Sequence, residues 1–315
     1  MFENILNEIR ICDIGNVKIG QVEDDDAKTG VTVIIAPEGA PTGLDIRGGG
    51  PASRESGLMD PLAAAEVVHA VVLGGGSAFG LDAAGGVMKY LAEHDIGFPV
   101  GPVRVPLVCQ SDIFDLLIGK SDVYPDKKMG YEAAAKAFED ESGNYRDGAY
   151  GCGCGATVGK VLGGDRCTKT GLGSYAVQLG DLKVGAIVCT NALGDIYDYQ
   201  TGKRIAGVLN EDGTELNEQS CEELMLGMYA AEQPDFTANT TIGIILTNAK
   251  LDKTKLCKVA GMAHDGYARC IRPIHTSMDG DSIYAMSLGD VVANTDVVGT
   301  LANHVMCEAI KRSVL

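Results

Sequence analysis

Apolar residues in this chain gather in short runs separated by glycine-rich and polar loops. Val31-Thr32-Val33-Ile34-Ile35 is dominated by β-branched residues and predicts a strand. Residues 65–73 end as a buried strand and enter the loop Gly74-Gly75-Gly76-Ser77-Ala78-Phe79-Gly80, after which a helix begins near Leu81. Residues 131–141 read as an alanine-rich helix, 151–164 as a glycine-dense loop holding a short strand or helix start, and 184–190 as a strand. The stretch 199–237 is polar and acidic, the least core-like part of the chain, with a turn at Asn210-Glu211-Asp212-Gly213. A strand over 242–246 follows, then a helix over 254–269 whose Leu256, Val259, Ala260, Ala263 and Tyr267 keep helical spacing. A strand over 283–286 comes after the turn Asp279-Gly280-Asp281, and residues 295–311 form a closing helix. Strands and helices alternate, with hairpin-like pieces among them. That pattern predicts an α/β fold of helices layered on at least two sheets.

Composition narrows the picture. No Pro/Ser-rich linker divides the 315 residues, so a single domain over 1–315 is expected. The 42 glycines lie between apolar runs in a chain that is 45% hydrophobic, which argues for tight turns and not for disorder. A formal net charge of −17 without a basic stripe excludes nucleic acid as an expected partner, and it favours a substrate carrying an amine. No run approaches the length of a membrane span, so no membrane partner is expected. The N-terminus has neither a basic region nor a long apolar one, which reads as a cytoplasmic protein with ten reduced cysteines. Cys152-Gly153-Cys154 is the one close pair; it lacks a matching second pair, so neither a metal nor another cofactor is expected.

Several motifs fail in detail. Gly155-Ala156-Thr157-Val158-Gly159-Lys160 ends like a phosphate loop, but Cys154 stands where the first Gly belongs and Val161 where Ser or Thr would hold magnesium. Phe79 occupies the final glycine of both a dinucleotide fingerprint and a serine-hydrolase elbow at Ser77. None of His69, His94, His264, His275 and His304 forms a metal-binding pair. His264 and His275 flank the region of the candidate nucleophile and are read as structural, with a role near the site as the alternative.

The junction Asn239-Thr240 runs polar residues directly into the apolar strand. Threonine is a weak nucleophile that needs a base. Self-cleavage before Thr240 would supply one, because a free α-amine titrates near neutrality, at about 7.7–8.0. The bland reading is a strand that begins with two threonines, which are good strand residues. A cut also calls for exposure or strain nearby, which the polar stretch upstream would offer.

The chain resembles the S58 peptidase family, which includes L-aminopeptidase/D-Ala-esterase, the β-peptidyl aminopeptidases and the nylon-oligomer hydrolases. The likeness runs from Gly15-Asn16-Val17-Lys18-Ile19-Gly20 through Arg47-Gly48-Gly49-Gly50-Pro51, Leu73 to Leu81, Phe114-Asp115-Leu116 and the loop 155–160. It continues through Thr190-Asn191-Ala192-Leu193-Gly194-Asp195 and Asn239-Thr240-Thr241-Ile242-Gly243 to Met278-Asp279-Gly280-Asp281. The resemblance implies a layered αββα sandwich like that of the N-terminal-nucleophile hydrolases. It also implies self-cleavage into 1–239 and 240–315, an assembly of several processed units, and hydrolysis of amide bonds in short peptides or peptide-like oligomers. The Asn-Thr junction matches the nylon-oligomer branch; other branches use Gly-Ser. A cut before Thr241 is the competing register.

By the same resemblance Thr240 is the nucleophile and its amine the base. Asn191 donates to an oxyanion, Lys160 orients Thr240 or lowers the pKa of its amine, and Asp279 and Asp281 hold the ammonium. Tyr131 is expected to line the substrate pocket. Two other readings stay open: an uncleaved binding or scaffold relative, and acyl transfer of the ornithine acetyltransferase type.

Overall fold

The computed structural model describes residues 5–139, 145–231 and 239–315. Two sheets stack face to face. The first holds six strands in the order Asn7–Ile9, Leu172–Leu179, Leu182–Asn191, Thr240–Ala249, Ser282–Val291 and Thr42–Ile46. The second holds five, in the order Lys18–Asp24, Thr29–Ala40, Val68–Gly74, Val108–Asp112 and Ala52–Arg54. Neighbours in the first sheet are antiparallel except Thr240–Ala249 beside Ser282–Val291. A parallel pair needs a crossover connection, and the helix Lys253–Cys270 supplies it.

Three apolar layers hold these sheets. Between them lie Ile187, Cys189, Ile242, Ile244, Leu246, Tyr284 and Met286 from the first sheet, against Ile34, Val71, Leu73 and Cys109 from the second. On the outer face of the first sheet, Val184, Ala186, Ile245 and Ile283 meet Leu256, Val259 and Tyr267 of the helix Lys253–Cys270 and Val298, Val305 and Met306 of the helix Thr295–Arg312. On the outer face of the second, Val31, Val33, Ala70 and Val72 meet Val87 and Leu91 of the helix Ala83–Glu93 and Ala133, Ala134 and Ala137 of the helix Lys127–Glu139. The result is the expected helix–sheet–sheet–helix sandwich.

Burial of both faces explains why 242–246 is an almost unbroken apolar run with no alternation. Ile242, Ile244 and Leu246 point between the sheets while Ile245 points to the helices, and burying each such side chain contributes roughly 1.5–3 kcal/mol. The helix pair on the second sheet crosses closely through two glycines: a Cβ at Gly86 would strike the carbonyl oxygen of Lys127, and one at Gly130 that of Ala83.

The elements differ from expectation in a few places. The strand at 31–35 extends over Thr29–Ala40, and the helix expected from Leu81 starts as a short turn, Ser77–Gly80, before Ala83–Glu93. The loop 151–164 contains short 3-10 turns and the two-residue strand Thr157–Val158. The acidic stretch contains a helix, Cys221–Ala230, started by a capping box in which Ser220 and Glu223 satisfy each other's backbone N–H. Residues 140–141 of the predicted second helix and 232–237 of the acidic stretch lie outside the described residues. No helix among the described residues is long and apolar enough to cross a membrane.

Candidate active site

Thr240 is the first residue of its strand. In the antiparallel ladder it faces Asn191, the last residue of the strand Leu182–Asn191. On the other side the neighbouring strand begins at Ser282, so the turn 278–281 lies beside the Asn239-Thr240 peptide. Three backbone positions are fixed by that turn. Asn239 N–H donates to the Met278 carbonyl at 3.1 Å, Gly280 N–H donates to the Asn239 carbonyl at 2.9 Å, and Thr241 N–H donates to Asp281 Oδ1 at 2.7 Å. The Thr240 hydroxyl donates to the same Asn239 carbonyl oxygen. One carbonyl therefore carries the hydroxyl of the next residue and a backbone N–H from across the ladder.

The junction is buried: Asn239 is 1% exposed and Thr240 4%. The exposure that the sequence placed in the polar stretch upstream does not extend to the junction itself. A protease acting from outside needs access, whereas attack by the adjacent hydroxyl needs only the proximity seen here.

Asn191 is held on three sides. Its Oδ1 accepts from Lys160 Nζ at 2.7 Å and from Thr157 N–H at 3.1 Å, which fixes the orientation of the amide. Its Nδ2 donates to the Phe114 carbonyl at 3.0 Å. An amide nitrogen carries two hydrogens, so this bond takes one of them. Lys160 Nζ also donates to the Asn191 carbonyl at 3.1 Å. Burial pushes the Lys160 ammonium down to about 8, against the pull of Asp279, Asp115 and nearby thiols.

The two acids of the turn differ. Asp279 Oδ2 accepts from Thr276 N–H at 2.8 Å and Thr276 Oγ1 at 2.7 Å, while its Oδ1 is buried with no hydrogen-bond partner among the described residues. Burial, with Asp281 adding like-charge repulsion, raises Asp279 to about 6. Asp281 is fully hydrogen-bonded: Oδ1 takes Thr241 N–H, and Oδ2 takes His275 N–H at 3.1 Å and His275 Nδ1 at 2.9 Å. The loop 47–50 braces the turn from behind, through Arg47 N–H to the Asp281 carbonyl at 3.0 Å and Gly50 N–H to the Asp279 carbonyl at 2.8 Å.

The sequence profile of peptidase family S58 matches residues 9–314. The chain belongs to this family. An uncharacterized aminopeptidase of Mycobacterium leprae is 37% identical over 295 residues, covering 90% of this chain and 79% of the relative. A 6-aminohexanoate-oligomer endohydrolase of Kocuria sp. is 33% identical, covering 95% of this chain and 84% of its own length. Among solved structures, the L-aminopeptidase D-Ala-esterase/amidase of Ochrobactrum anthropi, a variant of the Ntn-hydrolase fold, matches with a TM-score of 0.68 at 16% identity, over 96% of this chain and 85% of that one. A Burkholderia sp. β-aminopeptidase matches with a TM-score of 0.63 at 18% identity, over 96% and 84% of the two chains. The likeness in fold agrees with the four layers above, and the membership makes this S58 protein an amide hydrolase.

In this S58 chain, five residues singled out in the sequence, Thr240, Asn191, Lys160, Asp279 and Asp281, come together around one peptide bond. Tyr131 does not join them. It sits on the helix Lys127–Glu139 in the outer layer, where its hydroxyl donates to Glu93 at 2.8 Å and its ring meets Tyr90 edge-on. It is a helix-packing residue because the second sheet lies between its helix and the space between the sheets. Sequence reasoning missed the Gly280 N–H and the support under Asn191. That support includes the Phe114 carbonyl and the buried Asp115, which accepts from Gly76 N–H at 2.7 Å and Thr29 Oγ1 at 2.8 Å. Both Phe114 and Asp115 lie in one of the stretches that carry the family likeness, so a signal was present without a role attached to it.

Proposed function

We propose that this S58 hydrolase cuts its own chain between Asn239 and Thr240 and then uses Thr240 as an N-terminal nucleophile on amide bonds near a free amine. Its substrates are short peptides or peptide-like oligomers. The observation that carries this reading is the Thr240 hydroxyl on the Asn239 carbonyl, with Gly280 N–H on the same oxygen. In the cut, Thr240 Oγ1 forms a bond to the Asn239 carbonyl carbon, and the oxyanion that develops lies against Gly280 N–H. The C–N bond breaks and the Thr240 nitrogen leaves as an amine, taking the hydroxyl's proton. Water then hydrolyses the ester, which frees the Asn239 carboxylate and restores the Thr240 hydroxyl. The new α-amine lies one residue from Asp281 and beside the ionisable Asp279, where it serves as base for the hydroxyl. The amide of Asn191, anchored by Lys160, is oriented across the ladder for the oxyanion of the external substrate. The competing cut before Thr241 has less support, because Thr241 N–H is engaged by Asp281 and the described bonds aim no hydroxyl at the Thr240 carbonyl.

The names of the relatives suggest where to look for substrates. Incubated protein is expected to release amine from at least one of D- or L-amino acid amides, β-peptides and 6-aminohexanoate oligomers. N-acetylation of that substrate should lower turnover about tenfold or more, since the amine is part of what is recognised. Equal turnover of free and acetylated substrates would contradict the aminopeptidase-like part of the reading.

Gly280 gives a second test. A Cβ there would lie 2.8 Å from Thr240 Oγ1 and 2.9 Å from the Gly50 carbonyl oxygen. Gly280→Ala is expected to push the turn off the junction and slow self-cutting by about 10²-fold, as misplacement of reacting groups by an ångström does. A time course of intact chain by denaturing electrophoresis reads the effect; cutting at the unmodified rate would remove Gly280 from the account.

A further inference from the structure

His275 lies outside the set of residues that the sequence assigned to the chemistry, yet it makes two of the three hydrogen bonds that Asp281 receives. Its backbone N–H and its Nδ1 converge on the same oxygen, Oδ2, at 3.1 Å and 2.9 Å. This convergence requires an unusual backbone: His275 has φ +60°, in the left-handed region that a residue with a Cβ rarely adopts. Such a conformation persists where surrounding structure over-determines it, and it gathers at functional sites. The ring carries a second cost. Its Nε2 is buried and finds no hydrogen-bond partner among the described residues. The ring is wedged against His264, with centroids 4.8 Å apart, and against Tyr267 at 6.1 Å. A residue needed only to fill space there would not require an unpaired ring nitrogen or a left-handed backbone.

The chain of contacts runs in one direction. His275 fixes one oxygen of Asp281; the other oxygen of Asp281 fixes the N–H of Thr241; and Thr241 is the residue that follows the candidate nucleophile. Carboxylates that accept several charge-assisted hydrogen bonds are rigid, and rigidity is what holds a nucleophile within reach of its carbonyl.

We propose that His275 is a positioning residue of the Thr240 centre, clamping Asp281 and through it the peptide that carries the nucleophile. The proposal rests on the reading of Thr240 as the self-cutting nucleophile.

Two substitutions separate the donor from the backbone. His275→Gly keeps the left-handed conformation without strain but removes the Nδ1 donor. His275→Asn keeps both, because asparagine tolerates this region and its amide nitrogen can stand in for Nδ1. Freshly made chains are followed by denaturing mass measurement, and kcat and KM are measured on an amide that the wild type turns over. His275→Gly is expected to slow cutting and lower kcat by about tenfold with KM unchanged, and His275→Asn to stay within about threefold of wild type. Adding His275→Gly to Asp281→Asn should cost nothing further, since the histidine acts through that carboxylate. Wild-type rates in His275→Gly, or a further tenfold loss in the double variant, would overturn the proposal. If the glycine variant does not fold, the asparagine variant decides alone: a tenfold loss in it overturns the proposal. A wild-type chain that never cuts would instead overturn the reading of Thr240, and the positioning role would fall with it.

Discussion

Thr240→Ala is expected to remain one uncut chain of 32.9 kDa and to lose amide hydrolysis by a factor of about 10⁴ or more, the scale seen when a nucleophile is removed. The effect is large because the residue has three tasks in this account: it attacks its own backbone, supplies the amine that becomes the base, and attacks the substrate. Loss of the hydroxyl stops the first, and without the first the second never arises. The fold should survive, since the side chain removed is small and the strand is held by the ladders to 182–191 and 282–291. Thr240→Ser keeps an oxygen at the same place and is expected to cut, so the pair separates loss of the nucleophile from loss of packing. Cutting of Thr240→Ala at the same bond would remove the residue from the mechanism.

Lys160→Met is expected to slow self-cutting and turnover by about 10²-fold while leaving thermal stability unchanged or higher. The two outcomes share one cause. Lys160 is buried, and its pKa is held down to about 8 from 10.5 chiefly by that burial. For a base with a lowered folded-state pKa, the unfolded chain binds more protons between the two values. Stability from this group is therefore full above about 10.5 and lost as pH falls through about 8. Asp279 works in the opposite sense. Its folded-state pKa is raised from 3.8 to about 6, so its contribution is full below 3.8 and lost as pH rises through about 6. Near neutrality both groups are charged in a buried place, which is where the site is least stable. Methionine removes the buried charge at similar volume, but it leaves the Asn191 amide without its anchor. The same two values set the pH profile expected for self-cutting in the wild type: a rise as Asp279 ionises near 6 and a fall as Lys160 loses its proton near 8. A flat profile across that range, or a Lys160→Met chain that cuts at the wild-type rate, would remove the ammonium from the mechanism.

Local pattern carried much of the architecture. The helices Lys253–Cys270 and Thr295–Arg312 and the strand around 242–246 were legible because their apolar periods are long and regular. The strand Val108–Asp112 was not, because its buried side chains include Gln110, Ser111 and Asp112; Gln110 is satisfied by the Gly80 carbonyl, the Ala84 N–H and Asp112. Polar residues paired inside a sheet look like a loop to any hydrophobicity pattern. The helix Cys221–Ala230 was hidden by its acidic first turn, although Ser220 and Glu223 signal a cap.

For the site, the family likeness named five residues, and the ladder registers explain why residues so far apart in sequence meet. What the sequence could not give is the direction of a backbone N–H, as at Gly280, or a left-handed residue, as at His275. Both depend on how the turn 275–281 is laid against a strand that starts some forty residues earlier. Tyr131 shows the converse error: an aromatic residue chosen without a register landed in the outer helix layer.

The most direct test of the self-cutting account is the mass of the purified, incubated protein under denaturing conditions, followed by the N-terminal sequence of any smaller species. The account predicts two chains whose masses add to that of the 315-residue chain plus one water, the smaller beginning Thr240-Thr241-Ile242. One undivided chain after prolonged incubation at neutral pH, or a smaller chain beginning at any other residue, would contradict it.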